Sequence, residues 1–388
     1  MSTSRPTARN AEIQSGTDPA PTGTPAPAPA AFSARERWTL LGASLWLVAG
    51  LQLDAFAHAT IPDLETFWTP WHAVMYSGIA ACGVTLLWLL RSRLPEVVTY
   101  RSLLRETPSA LRLAGIGMGL LLVGGGIDTL WHNLFGIERG LEIFFSPSHY
   151  FIIAGMVLVA SGPALMLAAS SPSSERRIRG GDAVTMVVSA VLAAIPVHIY
   201  TLHASAIWGP QLGTGEPEPN TFSLDAQMLH GYVGSTVLLL VPVLLLARRW
   251  QLPVGAPTAL IAIPAFMMNV AFGDGVGIWL PITLTAAAVV TELVARALAP
   301  RFRLLTPDTR WIVLGTLAPM AVWGVVLGVS PVVDDGVSWN LHLITGLLAL
   351  VGITGAGTAF VVRRIQVAPA QGLTAAAPTT PDLAATAQ

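Results

Sequence analysis

Ten times along this chain of 388 residues, about 20 consecutive positions pass with hardly a charged side chain. Wound as an α-helix at about 1.5 Å per residue, such a run spans the roughly 30 Å of a bilayer's hydrocarbon core. Hydrocarbon offers no partner to a backbone N–H or C=O, so the runs must cross it as helices. They fall at about 38–58, 70–90, 111–132, 147–169, 183–204, 226–247, 257–276, 279–298, 310–330 and 339–362. The reading is an all-α polytopic membrane bundle of about ten helices. A very tight turn between Asp274 and Pro281 joins the seventh and eighth. Composition agrees: charged residues make up 11% of the chain, against about 25% in a soluble domain.

The flanks read differently. Residues 1–34 and 366–388 are rich in Pro, Ala and Thr and lack the apolar content to form a core. They are expected to be disordered tails around one membrane domain at 35–365. The first apolar run starts near Trp38, too late and with too little preceding basic charge for a signal peptide. The one cysteine, Cys82, lies inside an apolar run, which excludes a disulfide framework and a thiolate cluster.

Arginine sets the expected orientation. The chain has no lysine, and 20 of its 21 arginines fall on one side of the spans, Arg139 being the exception. Positively charged loops stay in the cytoplasm. Both termini are therefore expected on the cytoplasmic side of the cell membrane. All eight histidines, with twelve carboxylates, fall at the opposite ends. A surface of that chemistry attracts cations.

The first two hairpins, at about 38–90 and 111–169, align with one another. Asp54 matches Asp128 and His58 matches His132, each histidine four residues after its aspartate. Glu65 matches Glu142, Pro70 matches Pro147 and His72 matches His149, with seven residues from glutamate to histidine in both. The register points to a duplicated hairpin, of the kind membrane folds contain. Side chains at i and i+4 share one helix face and can converge on one ion. Thr69-Pro70 and Ser146-Pro147 then read as an N-cap followed by proline at the first helical position, which places His72 and His149 on the first turn. Asp54, His58, His72, Asp128, His132 and His149 are thus the candidate metal ligands. Glu65 and Glu142 are candidates for holding those ligands or accepting protons. His198, His203 and His230 are possible additions from later, weaker echoes of the pattern. His342 reads as an interfacial residue.

Two other features have packing explanations. Gly124-Gly125-Gly126, just before Asp128, permits close approach of helices. Glu292 has Arg296 four residues on, and an i, i+4 pair accounts for it better than a proton relay.

Imidazole and carboxylate without thiolate suit zinc, copper(II), iron(II) or manganese. Asp54-x3-His58 followed by His72, and Asp128-x3-His132 followed by His149, resemble a copper site in one membrane subunit of the particulate methane and ammonia monooxygenases. That family has Asp-x3-His near one helix end and a further histidine about a dozen residues later. The likeness covers some twenty residues per hairpin and implies a metal-ligand role, with copper slightly preferred. The leading expectation is a metal-dependent oxidoreductase acting on a small or lipid-soluble substrate. A transporter of metal ions or small solutes, a zinc-type hydrolase and a haem-binding membrane protein are the alternatives. No P-loop, dinucleotide fingerprint, serine-nucleophile elbow or nucleic-acid-binding patch is present.

Overall fold

The computed structural model describes residues 32–61, 69–94, 97–136, 138, 140–171, 177–208, 222–272, 277–333 and 339–365. Residues 1–31 and 366–388, Glu65 and the turn carrying Asp274 lie outside the described residues, while Phe32, Ser33 and Ala34, expected in the N-terminal tail, are described, with Phe32 buried and Ser33 capping the first helix. Those described form a helix bundle without a strand. The helices are α1 (Ala34–Thr60), α2 (Pro70–Leu90), α3 (Tyr100–Glu106), α4 (Ser109–Phe135), α5 (Pro147–Ser170) and α6 (Gly180–Tyr200). There follow α7 (Phe222–Arg249), α8 (Ala256–Ala271), α9 (Trp279–Ala297), α10 (Ala299–Phe302), α11 (Pro307–Val333) and α12 (Leu341–Arg364). Short 3-10 turns occupy Gly140–Phe145 and Leu202–Ala204.

Among the described residues, nine helices are long and apolar enough to cross a membrane. The tenth expected span is shorter: α8 has 16 residues and ends at Ala271 rather than near 276. Its start is fixed from outside. Glu292 on α9 is buried and accepts from the backbone N–H of Gly255 at 2.8 Å and the Thr258 hydroxyl at 2.8 Å. Arg296 completes the i, i+4 pair with Glu292 and also donates to the carbonyls of Leu252 and Pro253. The pair read from the sequence is therefore also the cap of a neighbouring helix, satisfying N–H groups that a helix start leaves open.

Helix α1 lies at the centre of the first half, packed on α2, α5, α6 and α8. The α1–α2 and α4–α5 hairpins close by the same device. A Cβ on Gly50 would stand 2.7 Å from the Met75 Cα, and one on Gly78 would stand 2.6 Å from the Leu47 Cα. In the second hairpin, a Cβ on Gly124 would lie 3.0 Å from the Ile152 nitrogen, and one on Gly155 would lie 2.9 Å from the Leu121 nitrogen. Each hairpin thus has two levels at which only glycine admits the opposing backbone. The registers coincide. Gly50 and Gly124 both precede their aspartate by four residues, and Gly78 and Gly155 both follow their histidine by six. Of the Gly124-Gly125-Gly126 run, Gly124 makes the tight approach, while nothing stands within 4 Å of a Cβ on Gly126.

Pro163 interrupts the hydrogen bonding of α5, and α6 repairs it. The Ser189 hydroxyl accepts from Ala164 N–H at 3.2 Å and donates to the Ala160 carbonyl at 2.6 Å. That bridge locks α6 against the hairpin that carries His149.

Candidate metal centre

The six ligand-type residues read from the sequence meet as two groups of three. Asp54, His58 and His72 form one; Asp128, His132 and His149 form the other; in each, one ligand atom per residue lies within 4.8 Å of the rest. Asp54 and His58 share a face near the end of α1, and Asp128 and His132 do so in α4. His72 and His149 come back from the first turns of α2 and α5, which the helix-opening prolines begin.

In the first group, Asp54 Oδ2 lies 3.5 Å from His72 Nε2 and 3.9 Å from His58 Nε2. The second is tighter: Asp128 Oδ2 lies 3.4 Å from His132 Nε2, and Asp128 Oδ1 lies 3.3 Å from His149 Nε2. Nitrogen and oxygen ligands about 2.1 Å from a tetrahedral ion stand about 3.4 Å from each other. Three of the four separations fall at that value, and the fourth is somewhat wider.

The far side of the imidazoles is also arranged. His149 Nδ1 lies 2.6 Å from the Ile143 carbonyl, which accepts only from a protonated nitrogen. His132 Nδ1 lies 3.1 Å from Glu138 Oε2 and 3.3 Å from the Gly136 carbonyl. His72 Nδ1 lies 3.0 Å from the Thr69 hydroxyl, which also accepts the His72 backbone N–H at 3.1 Å. The carbonyl and carboxylate acceptors behind His149 and His132 hold a proton on Nδ1 and fix each ring with Nε2 facing Asp128, whereas the Thr69 hydroxyl fixes the His72 ring with the proton on either partner. Metal-ligating histidines have this outer arrangement.

The groups differ at one position. Ser148 is fully buried and donates to Asp128 Oδ1 at 2.7 Å; with its proton so used, it accepts from the Ser146 hydroxyl at 3.0 Å. Ser146 stands at the expected N-cap position of α5, but its hydroxyl makes this contact instead of a cap. In the first hairpin the residue before the histidine is Trp71, and the buried Asp54 Oδ1 has no hydrogen-bond partner among the described residues.

The two groups are neighbours, because α1 packs on α5 and α2 on α4. Asp54 lies within electrostatic range of Asp128 and His149, and His58 within range of His132 and His149. Tyr76 stands between them. Its ring stacks on His72 with centroids 6.1 Å apart, and a Cβ on Gly125 of α4 would touch its Cε1 at 4.0 Å.

The chain matches no family model, no curated protein and no solved structure.

Several expected positions fall elsewhere. Glu142 is exposed in the Gly140–Phe145 turn, and the carboxylate that reaches the second group is Glu138. Of the later histidines, His198 is buried in α6, and its Nδ1 has no hydrogen-bond partner among the described residues. His203 packs beside Phe144 and Phe145, while His230 and His342 are exposed. Among the described residues these four join no group of three ligand-type side chains. Ser148, Glu138, Thr69 and Tyr76 were missed as site residues. The one available signal was Ser148, a polar residue beside an expected ligand on the first turn of a helix.

Proposed function

We propose that this chain is an integral membrane metalloprotein that binds two transition-metal ions side by side, one on each of two duplicated hairpins. In this reading the ions serve an oxidoreductase acting on a small or lipid-soluble substrate. The observation that carries it is the ring arrangement in both groups. Imidazole Nε2 atoms face a buried carboxylate at tetrahedral-edge separations, while carbonyl or carboxylate acceptors behind His132 and His149 hold a proton on Nδ1 and the Thr69 hydroxyl steadies His72. The coincident glycine levels support duplication, since they share the spacing of the ligands without being ligands themselves.

Asp54, His58 and His72 would hold one ion, and Asp128, His132 and His149 the other. Glu138 takes the supporting part first expected of Glu142. The unpartnered Asp54 Oδ1 fits an oxygen reserved for a cation, because an unpaired carboxylate oxygen away from water is costly. Copper is the preferred ion, iron and zinc following: the donor set is imidazole and carboxylate without thiolate. The bunching of 20 of 21 arginines supports cytoplasmic termini and a site on the outer face. Transport is less well supported, because carriers place their sites on broken helices near the bilayer midplane. Here the ligands lie in the last two turns of α1 and α4 and the first turns of α2 and α5, at helix ends rather than at a break near the middle of a span. A haem is disfavoured by ring centroids of His58 and His72 only 5.4 Å apart, too close for a macrocycle between them.

The test is elemental analysis of purified protein against a His58→Ala, His132→Ala double variant. The expected result is close to two copper or iron ions per wild-type chain and loss of most of that metal in the variant. Zinc alone would move the chemistry to water activation. Trace metal, equal in both proteins, would remove the reading.

A further inference from the structure

At the arginine-bearing ends of the helices, away from both groups, four guanidinium side chains converge on one cavity. Arg248 from the end of α7, Arg303 just after α10, Arg310 on the first turn of α11 and Arg363 from the end of α12 line it, with Gln251 and Trp311. Its volume is about 460 Å³, within the roughly 300–1,000 Å³ of small-molecule sites. The cytoplasmic bias of arginine does not require such convergence, because charges spread around the rim would orient the chain equally well.

Positive charge is in surplus there. Arg363 pairs with Asp308 at 2.9 Å, while neither Arg303 nor Arg310 is ion-paired among the described residues. Like charges gathered in one concavity repel unless an anion joins them. The guanidinium fork matches phosphate oxygens in particular. The surroundings narrow the ligand further. Trp311 and Arg363 also line a small adjoining groove between α11 and α12, together with Ile312, Ala359 and Phe360 and with the charged Asp308 and Arg364 at its rim. Ile312 and Phe360 are exposed on helices long and apolar enough to span a bilayer, where acyl chains would lie against them. An arginine-rich cavity beside a groove in which Trp311, Ile312, Ala359 and Phe360 offer apolar surface fits an amphiphile with an anionic head.

We propose that this cavity binds the phosphate-bearing headgroup of an anionic phospholipid, with an acyl chain along the α11–α12 groove. The proposal is independent of the metal reading.

Native mass spectrometry of the full chain in detergent, supplied with phosphatidylglycerol or phosphatidylcholine, tests it. The wild type should retain phosphatidylglycerol preferentially, and an Arg303→Ala, Arg310→Ala variant should lose roughly ten- to thirtyfold of that retention. An Arg101→Ala, Arg105→Ala variant removes the same charge from α3, outside the cavity, and should keep it. An unchanged thermal midpoint and a monodisperse elution profile would show each variant to be folded. Equal retention of the two lipids, or equal loss in both variants, would overturn the proposal. So would stabilisation by soluble glycerol 3-phosphate without lipid retention, which would assign the cavity to a soluble phosphate compound.

Discussion

The Ser148 hydroxyl donates to Asp128 at 2.7 Å, a bond that Asp54 lacks because Trp71 occupies the matching place in its own hairpin. One carboxylate is therefore oriented by its own helix turn, and the other has an oxygen uncommitted. Two groups of the same composition are thus unequal in pre-organisation, and ions bound to them should differ in affinity.

That inequality is testable through Ser148→Ala. Removing a hydrogen bond that orients a ligand costs about 10- to 100-fold in metal affinity. The weakening should be confined to one of two phases in a metal titration followed by calorimetry. A uniform weakening of both phases, or none, would contradict the assignment.

Glu138 and Glu142 are four residues apart and should behave oppositely. Glu138→Gln removes the carboxylate behind His132 and should lower affinity at that ion by about tenfold or more. Glu142→Gln alters an exposed side chain and should leave binding at the wild-type value. Competition with a colorimetric chelator would distinguish them, and a larger effect at Glu142 would reinstate the expectation drawn from the sequence.

Gly155 couples helix packing to ligand position. A Cβ there would lie 2.7 Å from the Gly117 carbonyl oxygen and 2.9 Å from the Leu121 nitrogen, both backbone atoms that cannot rotate away. Gly155→Val must push α5 off α4 and draw His149 away from Asp128. The second ion should be lost even though no ligand has changed. Retention of both ions with normal thermal stability would show that the helices do not cross as described.

Glu292→Gln addresses stability alone. The amide in place of the carboxylate would keep one acceptor but lose the charge that receives Arg296 and two backbone N–H groups. Weakening charged hydrogen bonds at a buried site costs about 1–3 kcal/mol. The thermal midpoint should fall while the metal content stays at the wild-type value. A matching loss of metal would point instead to a role at the metal centre.

The span pattern and the ligand groups could be read from the chain because both are local. Hydrophobic run length reports directly on a bilayer crossing, and Asp at i with His at i+4 shares a face in any helix. The pairing of α1 with α2, and of α4 with α5, then followed from short connections. Glu138 escaped notice for a physical reason: the three extra residues of the second loop carry the chain past Glu142, and an alignment of hairpins cannot say which carboxylate the loop turns inward. The capping of α8 was hidden because Glu292 lies 37 residues from Gly255, beyond the range of any periodic pattern. The convergence of Arg248, Arg303, Arg310 and Arg363 was hidden likewise, being a tertiary fact about four separate segments.

Where α1 meets α2 and α4 meets α5, the gap is set by main-chain atoms facing glycine, and main chain has no rotamers to adjust. Each hairpin therefore works like a jig: the distance between carboxylate and imidazole is cut into the backbone path. Side chains on the outer faces of these helices could be exchanged widely without changing that distance, whereas a single methyl group at the crossing would change it.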